Sequence, residues 1–538
     1  MTPSEREAAV PGAAAGGAER GVARAAAVVG GATLASRVLG FLRDVVVAHA
    51  FGAGPATDAF FVAFRLPNLF RRLVGEGAVN SAFVPVFTEY LAGRPRGDVL
   101  RMLRAVSGAV TGVLALLTLA GVLAAPLLVR VMAPGFFADP VTGALTVRLT
   151  RLMFPYLFFV GLAALAMAAL NAARHFLSPA LAPAMLNLAI IGAVFLVAPR
   201  LDEPVLALTI GVVVGGLGQL AVQLRPLARR GLLVRPALDL RHAAVARIGQ
   251  LMAPVALGQS ATQLNILVDT IIASFLVGGS VSYLYYADRL MEFPLGVFGI
   301  AIATAVLPTL SEQAARRELE ALRTTLSFAL RLAAFISLPA AVGLLLLREP
   351  LVRVLYERGA FGPVESAGTA WALGFYALGL VGFASVKIGA QAFYALGDTR
   401  TPVKVAIGAM VANSLLAVAL AFPLRHGGLA LATSCAGTAH ALVLAWLLRR
   451  RLGDRPVPGA RAGWARTLAA SATLALALLV AGWLWPPPAG RAAEAAWLGA
   501  MIAGGAGLYL ALHLALGSEE ARLVRRALAR RGARSFLP

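Results

Sequence analysis

The sequence has little charge and almost no cysteine, and both shortages narrow the classes of protein it can belong to. Only 14% of its 538 residues are charged, whereas a soluble domain usually carries about 25%. A single cysteine, Cys435, excludes a disulfide framework and a thiolate metal site. The sequence also lacks a nucleotide-binding loop, a metal-ligand cluster and a nucleophile triad. We therefore do not expect an enzyme.

Hydrophobic residues make up 59% of the sequence and form long apolar runs. Roughly 20 consecutive apolar residues cross a bilayer, so these runs predict an all-α polytopic membrane protein with about fourteen spans. The predicted spans are residues 24–50, 57–79, 101–133, 146–170, 179–199, 204–226, 246–277, 282–311, 324–347, 367–396, 402–423, 427–448, 464–485 and 493–516.

The net charge of +22 lies mainly on one side of the predicted membrane. Arginines crowd the links after spans two, six, eight and twelve and the C-terminal tail, whereas the opposite links are short and nearly neutral. By the positive-inside rule this asymmetry predicts that both termini are cytoplasmic. Topology and anionic membrane lipids explain the basic surface better than nucleic acid, which we do not expect as a partner.

Charged residues inside the spans are the clearest sign of function, because a charge at membrane depth costs about 2.5–3.5 kcal/mol. Such residues face a partner or a water-filled cavity, and a charged interior is typical of a transporter. They are Arg37, Arg43 and Asp44 in span one, Asp58, Arg65, Arg71, Arg72 and Glu76 in span two, and Asp269, Asp288, Arg289 and Glu292 in spans seven and eight.

Helical spacing predicts pairs among these charges in the first two spans. Arg37 and Asp44 share a helix face, so Asp44 belongs either to a structural Arg–Asp pair or to a substrate site. Arg72 and Glu76 can neutralise each other at i,i+4, which leaves Arg71 without an obvious local partner.

Later in the chain, Asp288 and Glu292 share a face and can hold or orient Arg289. Local arginines still outnumber their acids in the first two spans. Surplus arginine in an apolar cavity suits an anionic substrate, because guanidinium forks grip phosphate oxygens. A diphosphate is the natural group of this kind on a lipid-linked substrate.

A faint internal repeat aligns residues 54–66 with 278–290, and residues 82–89 with 305–312. Six spans separate the copies, which is typical of transporters built from two parallel repeats, although chance similarity is the alternative. The repeat predicts two six-helix lobes around a central cavity. The predicted organisation is a disordered cytoplasmic leader (1–22), an N-terminal lobe (23–232), a C-terminal lobe (233–451), a further helix pair (452–517) and a basic cytoplasmic tail (518–538).

Four segments closely resemble the bacterial lipid II flippase family MurJ, also called MviN, of the multidrug/oligosaccharidyl-lipid/polysaccharide exporter superfamily. They are SRVLGFLRD (36–44), FGAGPATDAFF (51–61), LPNLFRR (66–72) and YADRLMEFP (286–294). The resemblance implies fourteen helices, with the last two forming a lipid-accessible groove. It also implies a multi-pass protein of the bacterial inner membrane that flips undecaprenyl-diphosphate-linked peptidoglycan precursor (lipid II) from the cytoplasmic to the periplasmic leaflet by alternating access.

The same resemblance implies roles for individual residues. Positions that match the family's substrate-binding arginines are Arg37, Arg43, Arg71 and Arg289. Positions implied in gating or charge balance are Asp44, Asp58, Asn68, Arg72, Glu76, Ser282, Asp288 and Glu292. Asp269, Asn413 and Thr433 match three ligands of a sodium site, but the fourth, acidic position is Ala417 here, which weakens the case for sodium. The membrane potential is a second candidate driving force.

Other functions remain open at this point. A flippase for another polyprenyl-diphosphate-linked oligosaccharide shares the architecture, although the arginine motifs disfavour it. A cation-drug antiporter would need an acidic cavity. A polyprenyl-dependent glycosyltransferase would need catalytic carboxylates on a large extracytoplasmic loop, and these loops are short. A scaffold gives no reason to bury arginine. We expect a monomer with lipid II and membrane lipids as partners.

Overall fold

The computed structural model describes residues 11–71, 79–453, 457, 459–523 and 525, without the side chains of residues 11–29, 70, 80, 253–264 and 297. Helices dominate these residues, as expected where a bilayer leaves backbone groups no water to bond. Two compact units are present. Unit 1 contains residues up to 47, 59–132 and 137–264, and unit 2 contains residues 48–58, 133–136 and those from 265 onward.

The first nine helices run through unit 1, and the ends of α1 and α9 and the start of α2 belong to unit 2. They are α1 (Pro11–Phe51), α2 (Pro55–Arg71), α3 (Asn80–Gly93), α4 (Arg96–Met132), α5 (Pro140–Met153), α6 (Pro155–Ala172), α7 (Leu177–Leu196), α8 (Leu206–Arg229) and α9 (Ala243–Ser274).

Small residues let the helices of unit 1 approach closely. Helix α8 packs against α6 and α7. A Cβ added at Gly211 or Gly215 of α8 would lie 2.8 Å from the Cα of Ile190 or Leu186 of α7. Such glycine contacts replace hydrophobic burial as the source of helix association inside a membrane.

Nine helices of unit 2 follow. They are α10 (Ser280–Pro294), α11 (Ile300–Ala315), α12 (Leu319–Leu346), α13 (Arg348–Tyr356), α14 (Pro363–Ala395), α15 (Arg400–Leu424), α16 (His426–Leu452), α17 (Ala460–Leu484) and α18 (Arg491–Ala515). A π-helical turn, Leu295–Gly299, joins α10 to α11. Helix α14 is central, since it packs against α10, α11, α12 and α16, while α17 packs against α12 and α18.

The predicted spans agree well with the helices where the chain is most apolar. Among the described residues, ten helices are long and apolar enough to cross a membrane, with α5 and α6 counted as one. They coincide with predicted spans three to six and nine to fourteen. Spans one, two, seven and eight carry the buried charges, and parts of them lie outside the described side chains. The all-helical membrane fold is confirmed, whereas the count of fourteen is not.

Two local features differ from the expectations. Helix α1 begins at Pro11, so residues 11–22 are helical in the structure rather than part of a disordered leader. Its four alanines favour a helix and its four glycines oppose one, so composition alone did not decide the conformation of this stretch. Helix α3 (Asn80–Gly93) lies beyond the predicted end of span two. The two repeat segments nevertheless fall on corresponding helices, α2 and α3 in the first copy and α10 and α11 in the second.

Candidate functional site

Arg43 is the centre of a buried polar cluster in unit 1. Its Nη2 and Nε donate to Oδ1 of Asp44 at 2.6 and 3.0 Å, and its Nη1 donates to Oδ1 of Asn187 on α7 at 3.2 Å. Asn187 in turn donates to the carbonyl of Ser36 at 3.2 Å. Arg43 and Asp44 are 9% and 3% exposed. This cluster fixes the guanidinium group between α1 and α7.

Gly40 and Arg37 lie on α1 near this cluster. A Cβ built at Gly40 would lie 3.6 Å from the side-chain nitrogen of Asn187, an ordinary van der Waals distance, so α1 packs directly against this amide. Arg37, which was predicted to share a face with Asp44, is exposed. Instead, Asp44 pairs with the adjacent Arg43. Neighbouring side chains point about 100° apart on a helix, but the long arginine side chain can bend toward the carboxylate.

Arg71 closes helix α2 and is half-buried. Its Nε donates to Oδ1 of Asn68 at 2.8 Å, one helical turn earlier. The expectation that Arg71 has no local partner is therefore wrong, because an amide can orient an arginine as a carboxylate does. Arg72 and Glu76, the predicted i,i+4 pair, lie outside the described residues.

Asp58 caps the start of helix α10 in unit 2. Its carboxylate accepts hydrogen bonds from the backbone N–H of Gly279 (2.6 Å) and of Ser282 (2.8 Å), and from the Ser282 hydroxyl (2.5 Å). A carboxylate at a helix N-terminus satisfies N–H groups that have no helical partner and faces the positive end of the helix dipole. Asp58 and Ser282 are almost completely buried. The structure thus joins two of the predicted gating residues.

The backbone around this cap needs glycine. Gly279 has φ +95°, and a Cβ there would lie 2.8 Å from the carbonyl oxygen of Ala53. The left-handed conformation strains any residue other than glycine, and the close approach leaves no room for a Cβ.

Arg289 lies on α10 and is held by residues of the same helix. Its Nη1 is 2.9 Å from Oε2 of Glu292, and its Nη2 donates to the hydroxyl of Tyr285 at 3.2 Å. The guanidinium carbon lies 5.1 Å from the centre of the Tyr285 ring, which adds a cation–π contact. The expected pairing of Arg289 with Glu292 is confirmed. Asp288 is half-buried on the same helix.

The predicted sodium ligands are only partly brought together. The amide nitrogen of Asn413 on α15 donates to Oδ1 of Asp269 at 3.0 Å and to Oδ1 of Asn265 at 2.9 Å. The other amide atom of Asn413, Oδ1, is buried and has no hydrogen-bond partner among the side chains that the structure describes. Thr433 is half-buried, and its hydroxyl donates to the carbonyl of Leu429 within α16. Ala417 is fully buried and offers no oxygen ligand.

Sequence reasoning missed three side chains of these clusters: Asn187, Asn265 and Tyr285. Asn187 and Tyr285 partner arginines that were identified from their charge, whereas Asn265 accepts a hydrogen bond from Asn413, a predicted sodium ligand. An amide inside an apolar span is the signal that could have found Asn187 and Asn265, because a buried amide needs hydrogen-bond partners. Only the packing of α1 with α7, and of α9 with α15, shows that Asn187 bonds to Arg43 and Asn265 to Asn413.

Known proteins match this chain along most of its length. Residues 47–487 match the family described as lipid II flippase MurJ. The probable lipid II flippase MurJ of Haemophilus influenzae is 40% identical over 425 residues, which cover 77% of this chain and 83% of that protein. The lipid II flippase MurJ of Burkholderia cenocepacia is 39% identical over 440 residues, covering 81% and 85%. The probable lipid II flippase MurJ of Rhizobium meliloti is 38% identical over 517 residues, covering 94% and 96%.

Solved structures agree with these matches. A structure of lipid II flippase MurJ in an inward closed conformation has a TM-score of 0.77 at 26% identity, covering 90% of this chain and 97% of that chain. An inward-facing multidrug resistance MATE family transporter of the MOP superfamily has a TM-score of 0.64 at 16% identity, covering 78% and 94%. The second likeness concerns the fold alone.

Proposed function

Since the chain belongs to the lipid II flippase MurJ family, we propose that it carries lipid II across the bacterial inner membrane. The family match over residues 47–487 carries this proposal, and the ten long apolar helices support a multi-pass membrane location. The arginine-rich links support an orientation with both termini in the cytoplasm. We assign the direction from the cytoplasmic to the periplasmic leaflet, by alternating access.

In this proposal Arg43, Arg71 and Arg289 bind the diphosphate of the substrate, and exposed Arg37 contributes at the periphery. Arginine suits this role because its planar fork of N–H donors matches phosphate oxygens in a bidentate manner. Arg43 already holds an oxyanion in Asp44, and Arg289 holds one in Glu292. A phosphate oxygen is chemically the same kind of acceptor as these carboxylates.

The acidic partners then balance charge when no substrate is bound. Removing one member of a buried ion pair costs about 3–5 kcal/mol, so an empty carrier with unpaired arginines would be unstable. Asp44 spares the empty carrier this cost at the buried Arg43, whereas the exposed Glu292 offsets the charge of Arg289 at a lower energy. The diphosphate replaces both carboxylates during transport. This exchange explains why a flippase for an anionic lipid keeps carboxylates beside its arginines.

We assign the Asp58–Ser282 contact to gating. Three hydrogen bonds hold the start of α10 to Asp58. Opening a path along this end of α10 therefore requires breaking these charge-assisted hydrogen bonds. Ser282→Ala removes the hydroxyl bond and keeps both backbone bonds, whereas Asp58→Ala removes all three. We expect a graded loss of transport, small for Ser282→Ala and large for Asp58→Ala. Equal effects would contradict the assignment.

Asp269, Asn265 and Asn413 would hold a sodium ion if this chain uses one. The convergence of the Oδ1 atoms of Asp269 and Asn265 on the amide of Asn413 supports this role, because a hard cation needs several oxygen ligands. The ion would supply a positive charge that offsets Asp269. The membrane potential is the other proposed driving force, worth about 2.3 kcal/mol per charge per 100 mV.

Complementation of a conditional lipid II flippase deletion tests the proposal. The wild-type chain should restore growth, while Arg43→Ala, Arg71→Ala and Arg289→Ala should fail at matched membrane levels. Arg151→Ala is the matched control, because Arg151 is an exposed arginine on α5 and should leave rescue intact.

Each other result has a definite meaning. Failure of a correctly inserted wild-type chain would favour another polyprenyl-diphosphate-linked oligosaccharide as the substrate. Rescue by all three arginine variants would overturn the arginine assignment and leave the family membership standing. A catalytic function, such as glycosyl transfer, would require product formation from a polyprenyl phosphate sugar, which we expect to be absent.

A further inference from the structure

A basic pocket lies in unit 1, and none of the residues assigned to the diphosphate lines it. It has a volume of about 490 Å³ and lies between the end of α3, the first turns of α4 and the segment that leads into α9. Its lining includes Arg94, Arg101, Arg104, Tyr90 and His242. This volume is within the range of small-ligand sites, which is roughly 300–1,000 Å³.

The wall opposite α4 is formed by residues 233–242, here called the connector, and it is fixed in place. The backbone N–H of Ala237 donates to the carbonyl of Arg104 at 3.1 Å. Gly108 faces the Ala237 backbone so closely that any Cβ would overlap its carbonyl group. Arg247, in the first turns of α9, is bonded to Glu89 of α3 at 2.8 Å. The pocket is therefore preformed by the fold.

The charges that line the pocket favour an anion. Its lining carries three arginines against two carboxylates. Asp98 pairs with Arg101, and Asp239 accepts the backbone N–H of Arg241 at 3.2 Å. Within the described part of the chain, the side chains of Arg94 and Arg104 form neither an ion pair nor a hydrogen bond. Both are exposed, so both can donate to an incoming phosphate.

His242 adds a donor of defined tautomer. Its Nδ1 accepts the backbone N–H of Ala244 at 3.2 Å, at the start of α9. In the neutral ring the proton therefore sits on Nε2, which is left as a hydrogen-bond donor. The ring centre lies 6.3 Å from that of Tyr90, so both polar tips belong to the same pocket.

The pocket sits at the edge of the hydrocarbon layer. The exposed apolar residues of α4 run from Val113 to Val131, about 27 Å of helix and close to the ~30 Å hydrocarbon thickness. Leu238 of the connector is 73% exposed, and its Cδ1 lies 3.6 Å from the Cβ position of Gly112. The connector thus extends the apolar surface of α4 towards Arg104, at the depth of lipid headgroups.

We propose that this pocket binds the phosphate of an anionic glycerophospholipid headgroup. Arg94 and Arg104 grip the phosphate, His242 donates to it, and the exposed Leu238 and Leu240 contact the acyl chains. Basic pockets between transmembrane helices are suited to anionic headgroups, and the leucines favour a lipid over a soluble phosphate. The proposal does not depend on the transported substrate.

Native mass spectrometry of the full chain, titrated with phosphatidylglycerol and with phosphatidylcholine, tests the proposal. Arg94→Gln/Arg104→Gln should weaken the tightest phosphatidylglycerol binding by about tenfold, because each arginine near an anionic lipid headgroup adds to the binding affinity. Phosphatidylcholine binding should not change. Arg225→Gln/Arg229→Gln is the control, because these exposed arginines at the end of α8 give the same change of charge.

Two further measurements separate the sources of phosphate. Leu238→Ser should weaken phosphatidylglycerol binding at unchanged net charge, and glycerol 1-phosphate should not displace the lipid. Equal losses in the two double-arginine variants would reduce the effect to diffuse surface charge and overturn the proposal. Binding of glycerol 1-phosphate that is lost in Arg94→Gln/Arg104→Gln would overturn the lipid assignment in favour of a soluble phosphorylated ligand.

Discussion

The Arg43–Asp44 pair should contribute to stability only as a pair. Both side chains are buried, and two of the guanidinium nitrogens lie 2.6 and 3.0 Å from the same carboxylate oxygen. Arg43→Gln or Asp44→Asn alone breaks the ion pair and leaves one of its two charges buried, which should cost about 3 kcal/mol or more of unfolding free energy. The double variant places two neutral amides there and should cost about 3–4 kcal/mol, well below the sum of the single variants.

The corresponding coupling energy is about 2–3 kcal/mol, within the range measured for contacting residues. A double-mutant cycle on the detergent-solubilised chain, unfolded by denaturant titration, measures it directly. Additive single effects, with a coupling energy below about 0.5 kcal/mol, would refute the reasoning. The double variant should also be folded yet fail to transport, which would separate the role of Arg43 in substrate binding from its role in stability.

Three other perturbations test separate parts of the structure. Gly279→Ala should cost about 1–3 kcal/mol in a denaturant titration, because the position has positive φ, whereas Gly54→Ala, with open space around it, should not. Hydrogen bonds from the Thr401 backbone and hydroxyl hold the pKa of Asp398 at about 2, below the ordinary 3.8. The turn they form should therefore be fully stabilised above pH 3.8 and lost as pH falls through about 2, seen as faster hydrogen exchange at the Thr401 amide. An unchanged response in Asp398→Asn would contradict this cause. Sodium at about five times its Kd should stabilise the wild-type chain by about 1 kcal/mol over matched potassium, and Asp269→Asn should abolish the difference.

Apolar patterning predicted most of the helices because the bilayer sets their minimum length and forbids charge. Helices α14 to α18 begin and end within a few residues of the predicted spans. The pattern is weakest where function places charges, as in α2 and α10. In such regions a hydropathy pattern cannot distinguish one long span with buried charges from two shorter helices. For this reason α3 was not predicted.

The charged residues of the candidate site could be found from sequence, but several of their partners could not. Helical spacing correctly joined Arg289 to Glu292, because both lie on one helix. It paired Asp44 with Arg37 instead of Arg43, and it gave Arg71 no local partner. Long-range partners such as Asn187 depend on which helices pack together, and one sequence holds no record of that. The Asp58–Ser282 contact likewise depends on packing, and the family resemblance indicated the residues without their geometry.

Transport itself is the most direct test of the central claim. The chain would be reconstituted into vesicles with fluorescent lipid II, and an impermeant reductant would quench the label in the outer leaflet. We predict that the wild-type chain makes the protected inner-leaflet label accessible much faster than in protein-free vesicles, and that a chain combining Arg43→Gln, Asp44→Asn and Arg289→Ala does not. Equal rates for the wild-type chain and protein-free vesicles, with and without an imposed membrane potential or sodium gradient, would contradict the account.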